Sequence, residues 1–425
     1  MRIKNILKRD FSNESASQII FIMAFIVYSL ISMTKNAYSA SIASIIAEGT
    51  FTKSSAGVVN AGFYLLYGIG QIAGVGLVDR VSPVKLVYVT LFGTIAALIG
   101  MVVAKSFTAM LVIWSLCGLI QFGIWPAILR VIAEYMLPDH RKKALTAIAF
   151  SYCVGAVINY LMAAVVLSVS VWRTLFLVSA VMLVLSAVMW GATYKKLSPQ
   201  LREIKLINRE QGYIKANTKE KQKISWKLLL SSGIIILLIP AFLRSAMDNG
   251  VKAWVPTMIV DSYGVTAGFA SVLTTVLLIV NLSGVFISNF IRSKVLKNAT
   301  AGFGLVCLLA VPFTMLLLMI GKIPISVSVI LLTVITTLVY AGAQFVNIII
   351  PSYFAKYNMT GAVAAMLNGA ASFGIVFANI IFGVLAQKYG WNTTIVFWVI
   401  MLSLAGVFCL ITAPMWSKFI KKGEN

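Results

Sequence analysis

Ionisable and metal-binding side chains are scarce in this sequence. It has one histidine, His140, and four cysteines that never form a CxxC pair. The sequence therefore lacks the residues for a histidine-based metal site and for a nucleophilic triad with a histidine base. No Walker A sequence (GxxxxGK followed by Ser or Thr) occurs either, so the chain has no phosphate-binding loop for ATP. We predict no enzymatic activity, no cofactor and no metal.

Charged residues of both signs are scarce, and acidic residues are scarcer than basic ones. Charged residues make up 11% of the chain, against about a quarter in soluble proteins. Apolar residues make up 60%, and the mean hydropathy is +0.95. This surplus of apolar residues predicts lipid-facing helices, and 425 residues provide about a dozen crossings of roughly 20 residues each. The formal charge of +23 lies mostly in short gaps between apolar runs, which argues against nucleic-acid binding.

The apolar runs predict twelve membrane crossings, an even number that puts both chain ends on the same side of the membrane. The first run, 19–46, is too long for a signal-peptide core and should remain as a crossing. Lys and Arg concentrate at both chain ends and in alternate gaps, so both termini are predicted to be cytoplasmic in the cell membrane. The predicted crossings are 18–46, 54–78, 84–104, 107–135, 144–168, 172–194, 228–259, 265–291, 299–320, 324–354, 360–387 and 391–416.

A long basic gap divides the chain. Residues 195–227 are polar and rich in Lys and Arg, which predicts a solvated cytoplasmic linker near anionic lipid headgroups. The halves are then an N-terminal bundle over 1–194 and a C-terminal bundle over 228–425. We predict an all-α membrane protein of twelve helices in two pseudo-symmetric six-helix bundles. This architecture is typical of secondary transporters, which bind their substrate near the bilayer midplane between the two halves.

Three ionisable residues fall deep inside predicted crossings, where charge is most costly, and a fourth, Lys252, lies closer to the outer mouth of its crossing. Lys35 lies in the first crossing, and Arg244, Asp248 and Lys252 share one face of the seventh at i, i+4 and i+8. Together they carry a net charge of about +2, which favours an anionic solute. Asp248 is the only deep carboxylate and therefore the candidate for proton coupling. The alternative is that Asp248 only neutralises its basic neighbours.

Polar residues on other crossings extend this candidate site. Packing between membrane helices also uses Asn and Gln, so each of them has that alternative role. Collectively they predict a polar cavity that holds the substrate. The set comprises Asn36, Gln71, Tyr152, Asn281, Gln344 and Asn368.

Charged residues at two predicted helix ends form a candidate gate. Asp79 and Arg80 end the second crossing, and Arg130 and Glu134 lie one turn apart at the end of the fourth. An acid on one helix end that pairs with an arginine on another would hold one conformation and open in the next. The alternative is that these charges only orient the helices.

Several motifs, in this order, resemble the major facilitator superfamily, and in particular its organophosphate:phosphate antiporter and sugar-phosphate-permease-like branch. The matching segments are Tyr67–Gln71, Asp79–Pro83, Trp125–Pro126 with Arg130, Trp254–Thr257 and Gly390–Trp391. The resemblance implies alternating access, a small-molecule solute and a monomer in the lipid bilayer.

The branch's phosphate clamp does not carry over intact. Its Arg-Lys-Asn pattern becomes Thr34 followed by Lys35 and Asn36, and its seventh-crossing arginine position becomes Asp248. Because a pair of arginines suits a phosphate dianion, we expect a different small polar organic anion, moved by symport or exchange. Two alternatives remain open: a multidrug/proton antiporter of the same fold, and a sugar-phosphate-type sensor that does not transport.

Overall fold

The computed structural model describes residues 12–49, 51–74, 80–210, 226–354, 357 and 359–424, and within them every regular element is helical. Eleven helices in these ranges are long and apolar enough to cross a membrane. They are α1 (Asn13–Ala47), α3 (Pro83–Val103), α4 (Phe107–Tyr135), α5 (Pro138–Val169), α6 (Trp172–Glu210), α7 (Ile234–Tyr263), α8 (Ala267–Val295), α9 (Ala299–Met319), α10 (Ile325–Ser352), α11 (Thr360–Lys388) and α12 (Gly390–Lys421). A twelfth, α2 (Lys53–Ala73), lies between α4 and α11.

The twelve helices pack in two sets of six with the same pairing pattern. In the first set α1 packs on α5 and α6, α2 on α4, and α3 on α6. The second set repeats these pairs as α7 on α11 and α12, α8 on α10, and α9 on α12. The halves meet where α2 packs on α11, α5 on α8, and α1 on α7. This reciprocal arrangement places α1 and α7 at the centre of the molecule.

An even number of crossings returns the chain to the side on which it began. We call the side where α1 begins and α12 ends the termini side, and the other the opposite side. The predicted twelve-helix fold is confirmed, with helix ends that differ by a few residues. Gly233, with a φ of 83°, separates a short helix, Trp226–Ser232, from α7.

The first part of the predicted linker is not an extended solvated segment. Helix α6 continues beyond the predicted crossing to Glu210, and residues 211–225 lie outside the described part of the chain. Leu197, Leu201 and Ile204 are buried along this extension, at the spacing of one helix face. The density of basic residues concealed this apolar stripe, so sequence reasoning ended the helix about four turns early.

Candidate functional site

The charged residues of α7 form a connected triad. Arg244 Nη1 lies 3.3 Å from one oxygen of the Asp248 carboxylate, and the Lys252 ammonium contacts the other. Arg244 and Asp248 are buried, and the Lys252 side chain is 19% exposed. One carboxylate therefore has two basic partners, and the triad carries a net charge of +1. The i, i+4 spacing predicted this grouping.

Lys35 of α1 is a buried cation that contacts aromatic side chains. Its ammonium lies 3.4 Å from the Tyr67 hydroxyl and 4.4 Å from the centre of the Tyr67 ring. The Tyr28 ring centre lies 5.9 Å away. Lys35 is only 5% exposed, and no Asp or Glu of the described chain lies within ion-pair distance of it. Cation–π contacts stabilise the ammonium but leave its charge uncompensated.

Two tyrosines extend the site toward the triad. Tyr152 of α5 is 39% exposed and lies close enough to Asp248 for electrostatic interaction, so the first half faces the triad here. Tyr340 of α10 places its ring centre 5.2 Å from the Lys252 ammonium. Gln344 contacts the Tyr340 hydroxyl, immediately before a π-helical stretch at Phe345–Ile349. Such π-bulges are frequent at functional sites.

The other predicted binding residues divide into two groups. Gln71 donates a hydrogen bond to the Tyr67 hydroxyl at 3.1 Å and thus joins Lys35. Asn368 is exposed on α11 and lines the same cavity as Gln71. Asn36 instead donates to the Ser32 carbonyl of its own helix. Asn281 is 2% exposed and accepts hydrogen bonds from two threonine hydroxyls of α10, so the structure uses it for packing between α8 and α10.

A cavity of about 400 Å³ lies between α2 and α11. Gly369 would direct a Cβ into open space, and a Cβ on Gly68 would meet only Ser372, at 3.7 Å. Part of this volume therefore exists because both positions are glycines, which have no side chain to fill it. The lining residues are Tyr64, Leu65, Gly68, Ile69, Gln71, Ala365, Asn368, Gly369, Ser372, Phe373 and Val376.

The same two helices close tightly toward the opposite side. A Cβ on Gly57 of α2 would lie 2.2 Å from the Asn379 carbonyl oxygen of α11, so only glycine permits this approach. The Asn60 amide donates to the Asn379 side chain at 2.6 Å, and the Ser54 backbone N–H donates to the Gln387 side chain at 2.9 Å. Tight packing at one end of α2 and α11 and a cavity toward the other indicate a state open to the termini side.

An ion pair between the halves completes the closed end. Lys53, the first residue of α2, lies 2.8 Å from the Asp261 carboxylate near the end of α7. The Trp391 indole donates to the same carboxylate at 2.9 Å, and its ring centre lies 5.7 Å from the Lys53 ammonium. We call Lys53, Asp261 and Trp391 the opposite-side latch. Sequence reasoning missed it because Lys53 lies just outside the predicted second crossing, 54–78, and Asp261 lies just beyond the predicted seventh, 228–259.

The predicted gate on the termini side is described only in part. Asp79 lies outside the described residues, and Arg80 is exposed without an ion pair to a described acid. Arg130 pairs with Glu134 of its own helix at 2.9 Å and donates to the Val81 carbonyl at 2.7 Å, which links α4 to the α2–α3 connection. This link uses a backbone carbonyl and not the predicted acid of another helix end, so the gate stays a prediction.

A basic residue of the α6 extension joins this cluster unexpectedly. Lys205 lies 2.5 Å from the second Glu134 oxygen. The side-chain amide of Asn208, about one helical turn further along α6, donates to the backbone carbonyls of Glu134 and Met136. The extension is therefore attached to the end of α4, an attachment that no local sequence signal indicated.

Comparison with known proteins identifies the family. The sequence profile of the Major Facilitator Superfamily matches residues 20–340. A D-galactonate transporter of Escherichia coli is 20% identical over 396 residues, covering 88% of this chain and 90% of that protein. A "probable hexose phosphate transport protein" of Chlamydia pneumoniae is 20% identical over 416 residues, covering 94% and 90%.

Solved structures show the same fold. A bacterial homolog of the human lysosomal transporter Spinster superposes with a TM-score of 0.79 at 15% identity, covering 95% of this chain and 98% of that one. A D-xylose-proton symporter gives a TM-score of 0.68 at 13% identity, covering 92% and 96%. The relatives are transporters, which confirms the prediction that this protein is not an enzyme. The chain belongs to the Major Facilitator Superfamily and is a multi-pass membrane transporter with the twelve-helix fold of that family.

Proposed function

We propose that this protein is a secondary active transporter that moves a small polar organic anion across the cell membrane by alternating access. The observation that carries the proposal is Lys35, a buried cation without a carboxylate partner in the described chain. An uncompensated charge inside the membrane is costly unless a ligand or water provides compensation. A bound anion supplies that compensation at the contact between the two halves.

The sum of charges around the site supports an anionic substrate. Lys35, Arg244 and Lys252 contribute three positive charges and Asp248 one negative charge, so the net charge is +2. A lipophilic cation, the substrate class of the multidrug alternative, would meet this excess of like charge. Tyrosine hydroxyls around the cations provide donors and acceptors for substrate hydroxyl groups.

Among organic anions, a hydroxylated carboxylate of the sugar-acid type fits these residues better than a sugar phosphate. The relatives include both a D-galactonate transporter and hexose phosphate transport proteins. A phosphate dianion is best bound by a bidentate arginine pair. This chain has Thr34 and Asp248 where the antiporter branch has arginines, and the one deep arginine, Arg244, is already engaged by Asp248. A monocarboxylate needs only one free cation, and Lys35 provides it.

Asp248 is the residue we propose for proton coupling. Its carboxylate shares two cations in this substrate-free arrangement. A substrate carboxylate that engages Arg244 or Lys252 competes directly with Asp248 for a positive partner. Protonation of Asp248 would then neutralise the displaced charge, so that anion and proton enter together. This exchange of partners couples the two binding events in the sense required for symport.

The charge distribution predicts the orientation of the protein in the membrane, and the closed end at the opposite-side latch indicates which state of the transport cycle the structure represents. The Lys and Arg bias predicts that both termini are cytoplasmic. With that orientation, the state described here opens inward and is closed outward by the opposite-side latch. We propose that the protein acts as a monomer, because the site is formed by the two halves of a single chain.

Uptake into proteoliposomes tests the proposal. We expect D-galactonate to accumulate when the vesicle interior is made alkaline, and glucose 6-phosphate to accumulate much less. Lys35→Gln should reduce uptake at least about tenfold, the loss typical of a charged contact. The exposed Lys322→Gln is the matched control and should transport normally.

Coupling is tested separately with Asp248→Asn. This variant should keep substrate exchange down a concentration gradient but lose the acceleration by a pH gradient. Undiminished pH-gradient dependence would remove Asp248 from the coupling role. Binding of D-galactonate without any accumulation would favour the sensor alternative, and normal uptake by Lys35→Gln would refute the anion site.

A further inference from the structure

The cavity between α2 and α11 changes character from the protein centre to the bilayer. Leu65, Ile69 and Phe373 line it and are 39%, 47% and 54% exposed, within helices that cross the membrane. The cavity lies where α2 of one half meets α11 of the other, so it is a gap in the contact line between the halves, toward the termini side. A gap in that line gives the surrounding bilayer a lateral route to the space between the halves.

A polar chain of contacts joins the inner wall of this opening to the free cation. Gln71 lines the cavity and donates to the Tyr67 hydroxyl at 3.1 Å, and the same hydroxyl lies 3.4 Å from the Lys35 ammonium. Asn368 and Ser372 add polar groups on the facing helix. The opening is thus apolar on its outer wall and polar, with a positive charge nearby, on its inner wall.

We propose that this opening binds a single-chain anionic amphiphile from the surrounding bilayer, with its carboxylate toward Gln71 and Lys35 and its acyl chain between Leu65 and Phe373. A volume of about 400 Å³ lies within the range of ligand sites. The site adjoins the sugar-acid site and shares Gln71 and Lys35 with it, so an occupant competes with the substrate for that charge.

The headgroup must decide the affinity. Lipid tails are as apolar as the residues of the opening, so an acyl chain gains little hydrophobic free energy when it moves from the bilayer into the site. An ionised carboxylate gains a charged partner there that the bilayer interior lacks. The structure therefore predicts strong selectivity for a charged headgroup over a neutral one on the same chain.

Photolabelling tests this prediction in the full-length protein. The purified transporter is placed in nanodiscs of phosphatidylcholine at mildly alkaline pH, with a palmitic acid that carries a diazirine on its chain. Peptides covering 64–71 and 365–376 should be labelled above the background of the lipid-facing helices. The methyl ester of the same probe should label these peptides at least about tenfold less.

Two glycines of α11 provide a matched pair of variants. Gly369 lines the opening and Gly361 does not, and a Cβ on either would meet open space, so leucine should be tolerated at both positions. Gly369→Leu should remove the specific labelling, whereas Gly361→Leu should retain it. Lys35→Gln should reduce labelling by the acid to the level of the ester.

Three outcomes would overturn the proposal: equal labelling by acid and ester, equal labelling of the two glycine variants, or specific labelling that survives Lys35→Gln. None of them depends on sugar-acid uptake, so the failure of one proposal is distinguishable from the failure of the other.

Discussion

The opposite-side latch offers the sharpest test of how this transporter changes conformation. Asp261 of the C-terminal half is held by Lys53 of the N-terminal half and by the Trp391 indole. The contact with Lys53 exists only while the opposite side is closed. Asp261→Ala should therefore destabilise the closed end relative to a state open on that side. Asp261→Asn, whose side-chain oxygen can still accept a hydrogen bond from Lys53, should have a smaller effect.

The size of the effect follows from the exposure of the partners. The Lys53 and Asp261 side chains are 23% and 32% exposed, so solvent screens the pair and limits it to about 1 kcal/mol. The indole hydrogen bond joins two residues of the same half, so it persists when the opposite side opens and does not enter this equilibrium. Asp261→Ala should therefore shift the equilibrium between the two states by about 1 kcal/mol, which corresponds to a population ratio changed roughly 5-fold.

Distances between spin labels measure this shift directly. In a cysteine-free background, labels at two exposed residues, Lys105 in the α3–α4 loop and Lys388 at the end of α11, report the separation of the halves on the opposite side. Asp261→Ala should enlarge the long-distance population. The matched control is Glu48→Gln, because Glu48 and Arg173 form a similarly exposed pair at 3.1 Å within the N-terminal half alone.

The reasoning fails if Asp261→Ala leaves the distance distribution unchanged, or if Glu48→Gln shifts it by the same amount. A double-mutant cycle with Lys53→Gln sharpens the test. Once Lys53 is neutral, Asp261→Asn should have little further effect, because the two substitutions remove one shared interaction.

Three further predictions concern packing at the closed end, the ion pairs of Glu134 on the termini side, and the contact between α8 and α10. Gly57→Ala should abolish transport, because its Cβ would meet a carbonyl oxygen of α11 at 2.2 Å, whereas Gly361→Ala should transport normally in the same uptake assay. Glu134→Gln should weaken the attachment of the α6 extension, since the 8% exposed carboxylate holds two cations; we expect a loss of about 1–3 kcal/mol and faster proteolysis of the extension. Asn281→Ala should lower the melting temperature and leave the KM for substrate unchanged, because its hydrogen bonds join α8 to α10 and touch no charged residue of the site.

Apolar runs were sufficient to predict the helices because a bilayer demands them. Backbone groups in hydrocarbon must bond within their own helix, so a run of about 20 apolar residues has one stable conformation. The prediction was poorest at helix ends that leave the membrane. Helix α6 continues to Glu210 on an apolar stripe that the surrounding charges concealed.

The candidate site was predictable where its members share a helix. Arg244, Asp248 and Lys252 are one turn apart, so the sequence alone placed them together, and the structure adds only their pairing. Asn281 shows the limit of this approach. A polar residue in a crossing can face a cavity or a neighbouring helix, and the sequence contains nothing that distinguishes the two.

The sequence by itself determined that this chain spans the membrane twelve times and carries more positive than negative charge at depth, because hydropathy and charge are local properties of each segment. Only the tertiary structure decided which charges find partners. Lys35 contacts Tyr67 across 32 positions, and Lys53 pairs with Asp261 across more than two hundred, in the other half of the molecule. Such pairings depend on how helices pack, and helix packing is set by side-chain shapes along whole interfaces rather than by any one segment.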